Sequence, residues 1–230
     1  MVEALRSSFA HFAADPKTNN TVPGQFGEWF DGESLINRGM RLSPWEPPRF
    51  LWAAVEGVCG LMLTTGRPRV NPLVPAAWKW VALRRLPYHG KEITYFAARQ
   101  GGSFRIYANT EIDTDDAAER YDEDVSEQVH VLSTSAQVVA LRRAGEIVVL
   151  VGNVGTQTRV VPVTLQGLIG NDTIYDVRIY HSERGGWEPR QKVTGADLCV
   201  LGLSIEAHGY RIVELRYPPL DSGDTSPAPA

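Results

Sequence analysis

The chain has 230 residues and a formal net charge of −4, with 23 basic and 27 acidic side chains. Hydrophobic residues make up 43% and charged residues 22%, which is typical of a folded globular protein and excludes a disordered or fibrous chain. The chain has no basic surplus, so no nucleic-acid partner is predicted. The longest apolar stretch, residues 50–63, is shorter than the roughly 20 residues that a bilayer requires, so no membrane span is expected. The N-terminus carries no signal-peptide pattern, which makes a cytoplasmic location the expectation.

The first 65 residues carry a helical pattern and then a long irregular stretch. Apolar residues recur at spacings of three and four in the first helix, namely Val2, Leu5, Phe9 and Phe12. The helix is expected to end by Asp15, because Pro16 disfavours helical geometry in the residue before it. Residues 17–45 are rich in Gly, Asn and Pro but also contain many large apolar side chains, so an ordered functional loop is predicted.

A second helix is predicted over residues 47–63, with Pro47 and Pro48 in its first turn. Its side chains are apolar on nearly every face, which is typical of a helix that is buried on several sides. Two helices are too few to enclose a helix that is apolar on every face. The pattern therefore predicts a missing partner, either through oligomerisation or because the chain belongs to a larger helical domain.

Residues 66–217 have the pattern of strands separated by turns. Runs rich in Val, Ile, Thr and Tyr alternate with turn signals such as His89-Gly90, Gly101-Gly102 and Gly185-Gly186. Several short strands at this spacing predict an antiparallel β-sandwich, and the fold class is therefore α+β. The acidic segment 113–127 is predicted to be a solvated insertion, and the Pro- and Ser-rich tail 218–230 is predicted to be disordered.

The densest chemistry lies in the irregular stretch, where carboxylates alternate with Trp and Arg. Its members are Glu28, Trp29, Asp31, Glu33, Arg38, Arg41, Trp45 and Arg49. Aromatic faces stack on sugar rings, charged groups bind hydroxyls, and a carboxylate can deprotonate a water molecule, so this composition is typical of a carbohydrate site. A buried loop held together by Arg–carboxylate pairs has the same composition, and the residues alone leave both interpretations open.

The motif in this stretch runs Glu28-Trp29-Phe30-Asp31-Gly32-Glu33, then Arg38-Gly39, then Phe50-Leu51-Trp52-Ala53-Ala54 and Glu56. Residues 24–56 thereby resemble the last catalytic segment of glycogen-debranching enzymes of the amylo-alpha-1,6-glucosidase type, and more broadly the six-hairpin glycosidases. The resemblance implies an (α/α)6 barrel of paired helices with accessory β-sandwich domains, and inverting hydrolysis of glycosidic bonds. Residues 1–65 would then be a two-helix remnant of the barrel, and residues 66–217 a β-sandwich region.

The resemblance also implies roles for single residues. Glu28 matches the general base, Asp31, Glu33 and Arg38 match the motif that shapes the pocket around it, and Trp29 and Trp52 match aromatic positions that line or support the pocket. Inverting hydrolysis also needs a carboxylic acid opposite the base. In the family that acid lies on a barrel helix far upstream, whereas 27 residues precede Glu28 here. The expectation is a C-terminal fragment or subunit that carries the base and lacks the acid.

The predicted function is therefore that of part of a glycoside hydrolase acting on glucosidic bonds, with the alpha linkage taken from the debranching resemblance. The isolated chain is expected to be inactive. Its expected partners are an oligosaccharide or polysaccharide substrate and an upstream barrel-forming chain. No cofactor is expected, since no phosphate loop or dinucleotide fingerprint is present, and no metal, since the two cysteines and the scattered histidines lack ligand spacing. The alternative is a noncatalytic carbohydrate-binding or interaction module, in which the β region acts and residues 1–65 dock to a partner.

Overall fold

A computed structural model describes residues 2–13, 15–22, 25–31, 33–34 and 36–218. The chain forms two compact units, Met1–Ala76 and Ala77–Ala230. Helices are confined to short segments and most of the regular structure is antiparallel sheet, so the predicted α+β class with a β-sandwich is confirmed. The predicted disordered tail lies outside the described residues from position 219 onwards. Within the described part of the chain, no helix has the length and apolarity that crossing a membrane requires.

The described residues of the smaller unit form three α-helices, a π-helix and a two-stranded sheet. They are α1 (Val2–Ala13), α2 (Pro16–Asn19), α3 (Glu46–Trp52), the π-helix (Ala53–Val58), β1 (Leu61–Met62) and β2 (Arg69–Val70). The first helix ends before Pro16, as predicted. The second does not continue to Leu63, because Gly60 adopts a φ of +70° and lies so close to Asn71 that a Cβ would overlap the Asn71 carbonyl oxygen. That turn starts β1, and the sequence prediction for residues 59–63 was therefore wrong.

The helix that the sequence predicts to be buried on several sides is exposed in its first part, α3, whereas Val58 of the π-helix is buried. Every residue of α3 is at least partly exposed, and Leu51 and Trp52 are 61% and 63% exposed. One side chain of the helix does pack. The Phe50 ring lies 5.1 Å from the Phe26 ring and 6.3 Å from the Phe9 ring, so it joins α3 to the irregular stretch and to α1.

Up to residue 218, where the described part of the chain ends, the larger unit is built from fourteen strands. They are β3 (Trp80–Tyr88), β4 (Lys91–Gln100), β5 (Ser103–Ala108), β6 (Ala117–Arg120), β7 (Glu123–Asp124), β8 (His130–Val131), β9 (Ala136–Arg143), β10 (Glu146–Asn153), β11 (Arg159–Thr164), β12 (Ile174–His181), β13 (Gly186–Trp187), β14 (Gln191–Thr194), β15 (Val200–Ile205) and β16 (Tyr210–Arg216). Two short helices, a 3-10 helix (Ser126–Gln128) and α4 (Gly195–Leu198), interrupt them.

These strands form three sheets. A seven-stranded sheet has the order β13-β12-β16-β10-β9-β7, with β14 also paired to β12. The other two are a three-stranded sheet, β15-β11-β8, and a four-stranded sheet, β3-β4-β5-β6. The pairing of β5 with β6 is parallel, which departs from the all-antiparallel prediction, because residues 109–116 return the chain along β5 in the same direction.

The seven-stranded sheet lies between two hydrophobic cores. Successive side chains of a strand point to opposite faces, and in β10 both sets are buried. Ile147, Val149 and Val151 belong to a core shared with β11 and β15 of the three-stranded sheet. Val148 and Leu150 belong to a second core shared with β4 and β5 of the four-stranded sheet. The continuous apolar run of β10 is therefore explained by burial on both faces.

The acidic segment 113–127 is ordered, and its prediction as a solvated insertion was wrong. It contains β6, β7 and most of the 3-10 helix, and Tyr121 and Val125 within it are fully buried. Asp124 accepts hydrogen bonds from the Thr94 hydroxyl at 2.7 Å and from the Ser126 amide at 2.9 Å. Buried apolar side chains between the acidic ones decide the structure of this segment, because they outweigh the preference of its charges for water.

Gly152 of β10 offers a test of the contact between the seven-stranded and four-stranded sheets. A Cβ at this position would overlap the Trp80 indole of β3, so Gly152→Ala is expected to destabilise the protein by about 1–3 kcal/mol. Gly186→Ala is the matched control, since a Cβ there would meet no heavy atom of the described residues within 4 Å. Urea unfolding of both variants measures the difference. Equal midpoints for the two variants would contradict this packing.

Candidate functional site

The stretch that carries the sequence motif folds into an irregular hairpin in the smaller unit. The Glu28 amide donates to the Met40 carbonyl, the Arg38 amide to the Trp29 carbonyl, and the Asp31 amide to the Ile36 carbonyl, each at 3.0 Å. Phe30 and Asn37 form an antiparallel bridge between the same two segments. Residues 28–31 and 36–40 are therefore held side by side by backbone hydrogen bonds.

The Glu28 carboxylate is fixed by the opposite arm of this hairpin. The Met40 amide donates to Glu28 Oε2 at 2.9 Å, and the Glu28 side chain is half-buried. Gly39 makes this close approach possible, because a Cβ there would lie 2.5 Å from Trp29 Cδ1 and 2.7 Å from Glu28 Oε2. Among the described residues, Met40 is the hydrogen-bond partner of this carboxylate, and Oε1 stays available. The Glu28 carboxylate and the Trp29 indole thus lie against the same glycine.

Asn37 is a residue of this site that sequence reasoning missed. Its side chain is fully buried, and its amide nitrogen donates to the carbonyls of Asn20 at 3.0 Å and Met40 at 3.3 Å. Its Oδ1 accepts from the Gly39 amide at 3.2 Å. A buried Asn that satisfies backbone groups on several segments orders the loop around it. One signal was present in the sequence, since an Asn beside Arg-Gly in an irregular stretch is typical of a residue that bonds to neighbouring backbone.

Asp31 closes the turn of the hairpin. Its Oδ1 accepts hydrogen bonds from the Ser34 amide at 2.8 Å, the Ser34 hydroxyl at 2.9 Å and the Glu33 amide at 3.1 Å. The Ser34 amide bond is the main reason that the pKa of Asp31 lies below its usual value, and the charge of Arg38 acts in the same direction. Gly32 of the motif lies outside the described residues. Asp31 therefore stabilises the turn through Oδ1, which accepts all three of these hydrogen bonds.

The remaining motif residues lie on the surface. Glu33 and Arg38 are exposed, and the Trp29 indole is 54% exposed beside Glu28. Trp52 lies on α3, two residues after the Phe50 ring that contacts Phe26. The structure thus brings Glu28 and Trp29 together, places Asp31 and Glu33 in one turn, and leaves Trp52 on a separate helix.

The arrangement supplies one oriented carboxylate next to exposed aromatic surface. A carboxylate held at one oxygen can accept a proton from water at the other, which is the requirement for a general base. Among the described residues, no three His, Cys, Asp or Glu side chains are grouped as metal ligands. A carboxylate beside an exposed indole has the chemical groups for proton transfer and for contact with hydroxyl groups.

Comparisons with known proteins add little to this geometry. No protein-family model matches the sequence, and no curated protein matches it. One solved structure is similar to part of the chain, alpha-galactosidase I from Mortierella vinacea, with 17% identity and a TM-score of 0.27. That match covers 41% of this chain and 23% of the galactosidase chain. A likeness at this TM-score carries no argument about fold or function.

Asn37 provides a test of how the Glu28 hairpin is held. Asn37→Ala leaves the backbone groups that its side chain bonds without partners, at a cost of about 1–3 kcal/mol. Faster amide hydrogen exchange is expected across residues 28–40, while the strands of the larger unit keep their protection. Hydrogen–deuterium exchange with mass spectrometry measures both, and Glu33→Ala, at an exposed position of the same hairpin, is the control. Unchanged exchange of residues 28–40 in Asn37→Ala would show that the side chain does not hold the hairpin.

Proposed function

We propose that the Glu28 hairpin is the base half of a glycoside hydrolase site. In this proposal the chain acts on glucosidic bonds of an oligosaccharide or polysaccharide, with alpha linkage, by inverting hydrolysis. Glu28 deprotonates the attacking water, and Trp29 and Trp52 support the sugar rings. The single observation that carries the proposal is the Glu28 carboxylate, which the Met40 amide holds at Oε2 while no other described residue bonds Oε1.

The orientation of Glu28 supports a base rather than a surface charge. Exposed carboxylates are usually mobile and gain little from a partner, whereas Glu28 is half-buried and hydrogen-bonded to a backbone amide on the opposite arm. Its approach to that amide requires glycine at position 39. A general base must be held within reach of its water molecule, and a rigid backbone donor supplies that constraint.

The exposed indoles support a sugar substrate. Large aromatic side chains are usually buried, but Trp29 and Trp52 are more than half exposed. An indole offers a flat apolar face for the C–H side of a sugar ring. Arg38 and Glu33 add exposed charged groups that bind hydroxyls. Asp31 serves the site by closing the turn that holds Glu33 and Ser34.

The opposing acid belongs to a partner in this proposal. Inversion needs a carboxylic acid about 6.5–9.5 Å from the base, so that a water molecule fits between the base and the sugar. The motif resemblance assigns that acid to an upstream barrel helix, and a barrel-forming chain would supply it. The exposed Leu51 side chain of α3 is where such a helix would pack.

A substrate that needs no acid tests Glu28 directly. Fluoride leaves a sugar without being protonated, so α-D-glucosyl fluoride requires the base alone. Glu28→Gln keeps the shape of the side chain and removes its basicity, and fluoride release is expected to fall at least about 100-fold. A fluoride electrode measures the rate for the full chain at neutral pH.

Glu3→Gln is the matched control for this assay. Glu3 is an exposed carboxylate on α1 that pairs with Arg6 at the surface, and its replacement is expected to leave the rate unchanged. Fluoride release that is equal in Glu28→Gln and the unmodified chain would contradict the proposal. Sugar binding by residues 77–218 without hydrolysis would instead favour the noncatalytic module.

A further inference from the structure

Among the described residues, β15 is an edge strand of the three-stranded sheet, with no strand paired on its outer side. This strand pairs with β11 without a register shift, and β11 pairs with β8 on its other side. The sequence of β15 is Val-Leu-Gly-Leu-Ser-Ile, which contains no charge and no proline. Natural edge strands are usually protected by charged residues, proline or bulges, because their free backbone groups pair with other chains. β15 has none of these devices.

The pairing with β11 shows which backbone groups of β15 point outward. The Leu165 amide donates to the Cys199 carbonyl. In an antiparallel pair every second residue exchanges hydrogen bonds with the neighbouring strand, so Leu201 and Leu203 of β15 are the residues bonded to β11. The amides and carbonyls of Val200, Gly202 and Ser204 therefore point away from β11. Pro162 of β11 lies opposite Gly202 and has no N–H to donate, which agrees with a pair that exchanges no hydrogen bonds.

A cleft of about 290 Å³ opens beside this edge. One wall is formed by Gly202, Leu203 and Ser204 of β15. The other wall comes from the seven-stranded sheet and the β12–β13 turn, and its residues are Ile179, His181, Glu183, Arg184, Glu188 and Arg211. The free edge and the cleft thus form one continuous surface within the larger unit.

A chain of paired charges fixes the polar wall. The buried Arg211 guanidinium donates to both oxygens of Glu183, at 2.6 and 2.7 Å. His181 Nδ1 lies 3.3 Å from Glu183 Oε1, and His181 Nε2 lies 2.6 Å from Glu188 Oε1. Within the described part of the chain, Glu188 Oε2 has no hydrogen-bond donor. The carboxylates contact opposite ring nitrogens of His181, so they do not converge on a metal position.

Two carboxylates and two guanidinium groups of the described residues line the cleft, and they differ in whether they already have a partner. The buried Arg211 guanidinium already occupies Glu183, Arg184 lies on the exposed turn, and Glu188 is bonded, among these residues, to the His181 ring through Oε1 alone. A side chain that enters the cleft therefore meets an available carboxylate oxygen of Glu188 and the apolar Ile179 and Leu203. A Lys or Arg side chain fits both features, because its stem is apolar and its tip is cationic.

We propose that the β15 edge and its cleft bind an extended peptide of a partner protein. The peptide adds a strand to the three-stranded sheet through the outward groups of Val200, Gly202 and Ser204, and places one basic side chain against Glu188. A second copy of β15 fits the edge less well, since it would present leucines to the charged wall. The proposal concerns the larger unit and does not depend on the function proposed for Glu28.

Two blocked heptapeptides test the proposal on the full chain. Both have the sequence Ser-Val-Thr-X-Thr-Val-Ser, with Lys or Glu at the centre. In two-dimensional amide NMR, the Lys peptide is expected to shift the signals of residues 200–205 and 179–188. Gly202→Pro removes one outward amide without touching the bonds to β11, and it is expected to abolish binding. Circular dichroism checks that this variant is folded.

Glu188→Gln tests the charge preference without altering the strand. It is expected to weaken binding of the Lys peptide about tenfold. The control is Glu56→Gln, which removes an exposed carboxylate of the other unit and is expected to leave the affinity unchanged. Equal affinity for the Lys and Glu peptides would overturn the charge assignment, and no shifts at residues 200–205 would overturn the site. Dimerisation of the chain through residues 200–205 that excludes the peptide would overturn the choice of partner.

Discussion

The larger unit depends on β10 being buried on both faces. Each face of this strand belongs to a different hydrophobic core, so no position along its centre can carry a charge without a partner. The charges begin where the cores end. Glu214 of β16 is buried, and burial acts to raise its pKa, but hydrogen bonds from Arg178 and Arg190 outweigh that effect and the pKa is lowered. Paired charges therefore take the place of apolar side chains near one end of the seven-stranded sheet.

The candidate site follows from a different constraint, which is the need to pair backbone groups in a loop. The two arms of the hairpin, residues 28–31 and 36–40, are held by their own amides and carbonyls and by the buried Asn37 side chain. The Met40 amide is one of these groups, and its acceptor is the Glu28 carboxylate. The feature that orders the loop thus also aims the proposed base. This coupling explains why a glycine, rather than a larger residue, stands at position 39.

The central strands could be predicted from the sequence because their signals are local. The β-branched runs of β9, β10, β12 and β16 and the turns between them lie where the pattern puts them. The early end of the second helix depends on Gly60 lying against Asn71, a contact eleven positions away. The ordering of residues 113–127 depends on Val125 and Tyr121, which join the first and the second hydrophobic core, respectively, and which the acidic composition conceals. The role of Asn37 depends on hydrogen bonds to Asn20 and Met40. A single motif does not predict such contacts, because Asn20 lies 17 positions away in the sequence.

The stereochemistry of the product tests the central claim most directly. If Glu28 activates water on the face opposite the leaving group, α-D-glucosyl fluoride must yield β-D-glucose as the first product. Proton NMR recorded within minutes of mixing separates the two anomers before they interconvert. The account predicts an initial excess of the β anomer that is lost in Glu28→Gln. An initial excess of the α anomer, or a β excess that survives Glu28→Gln, would contradict it.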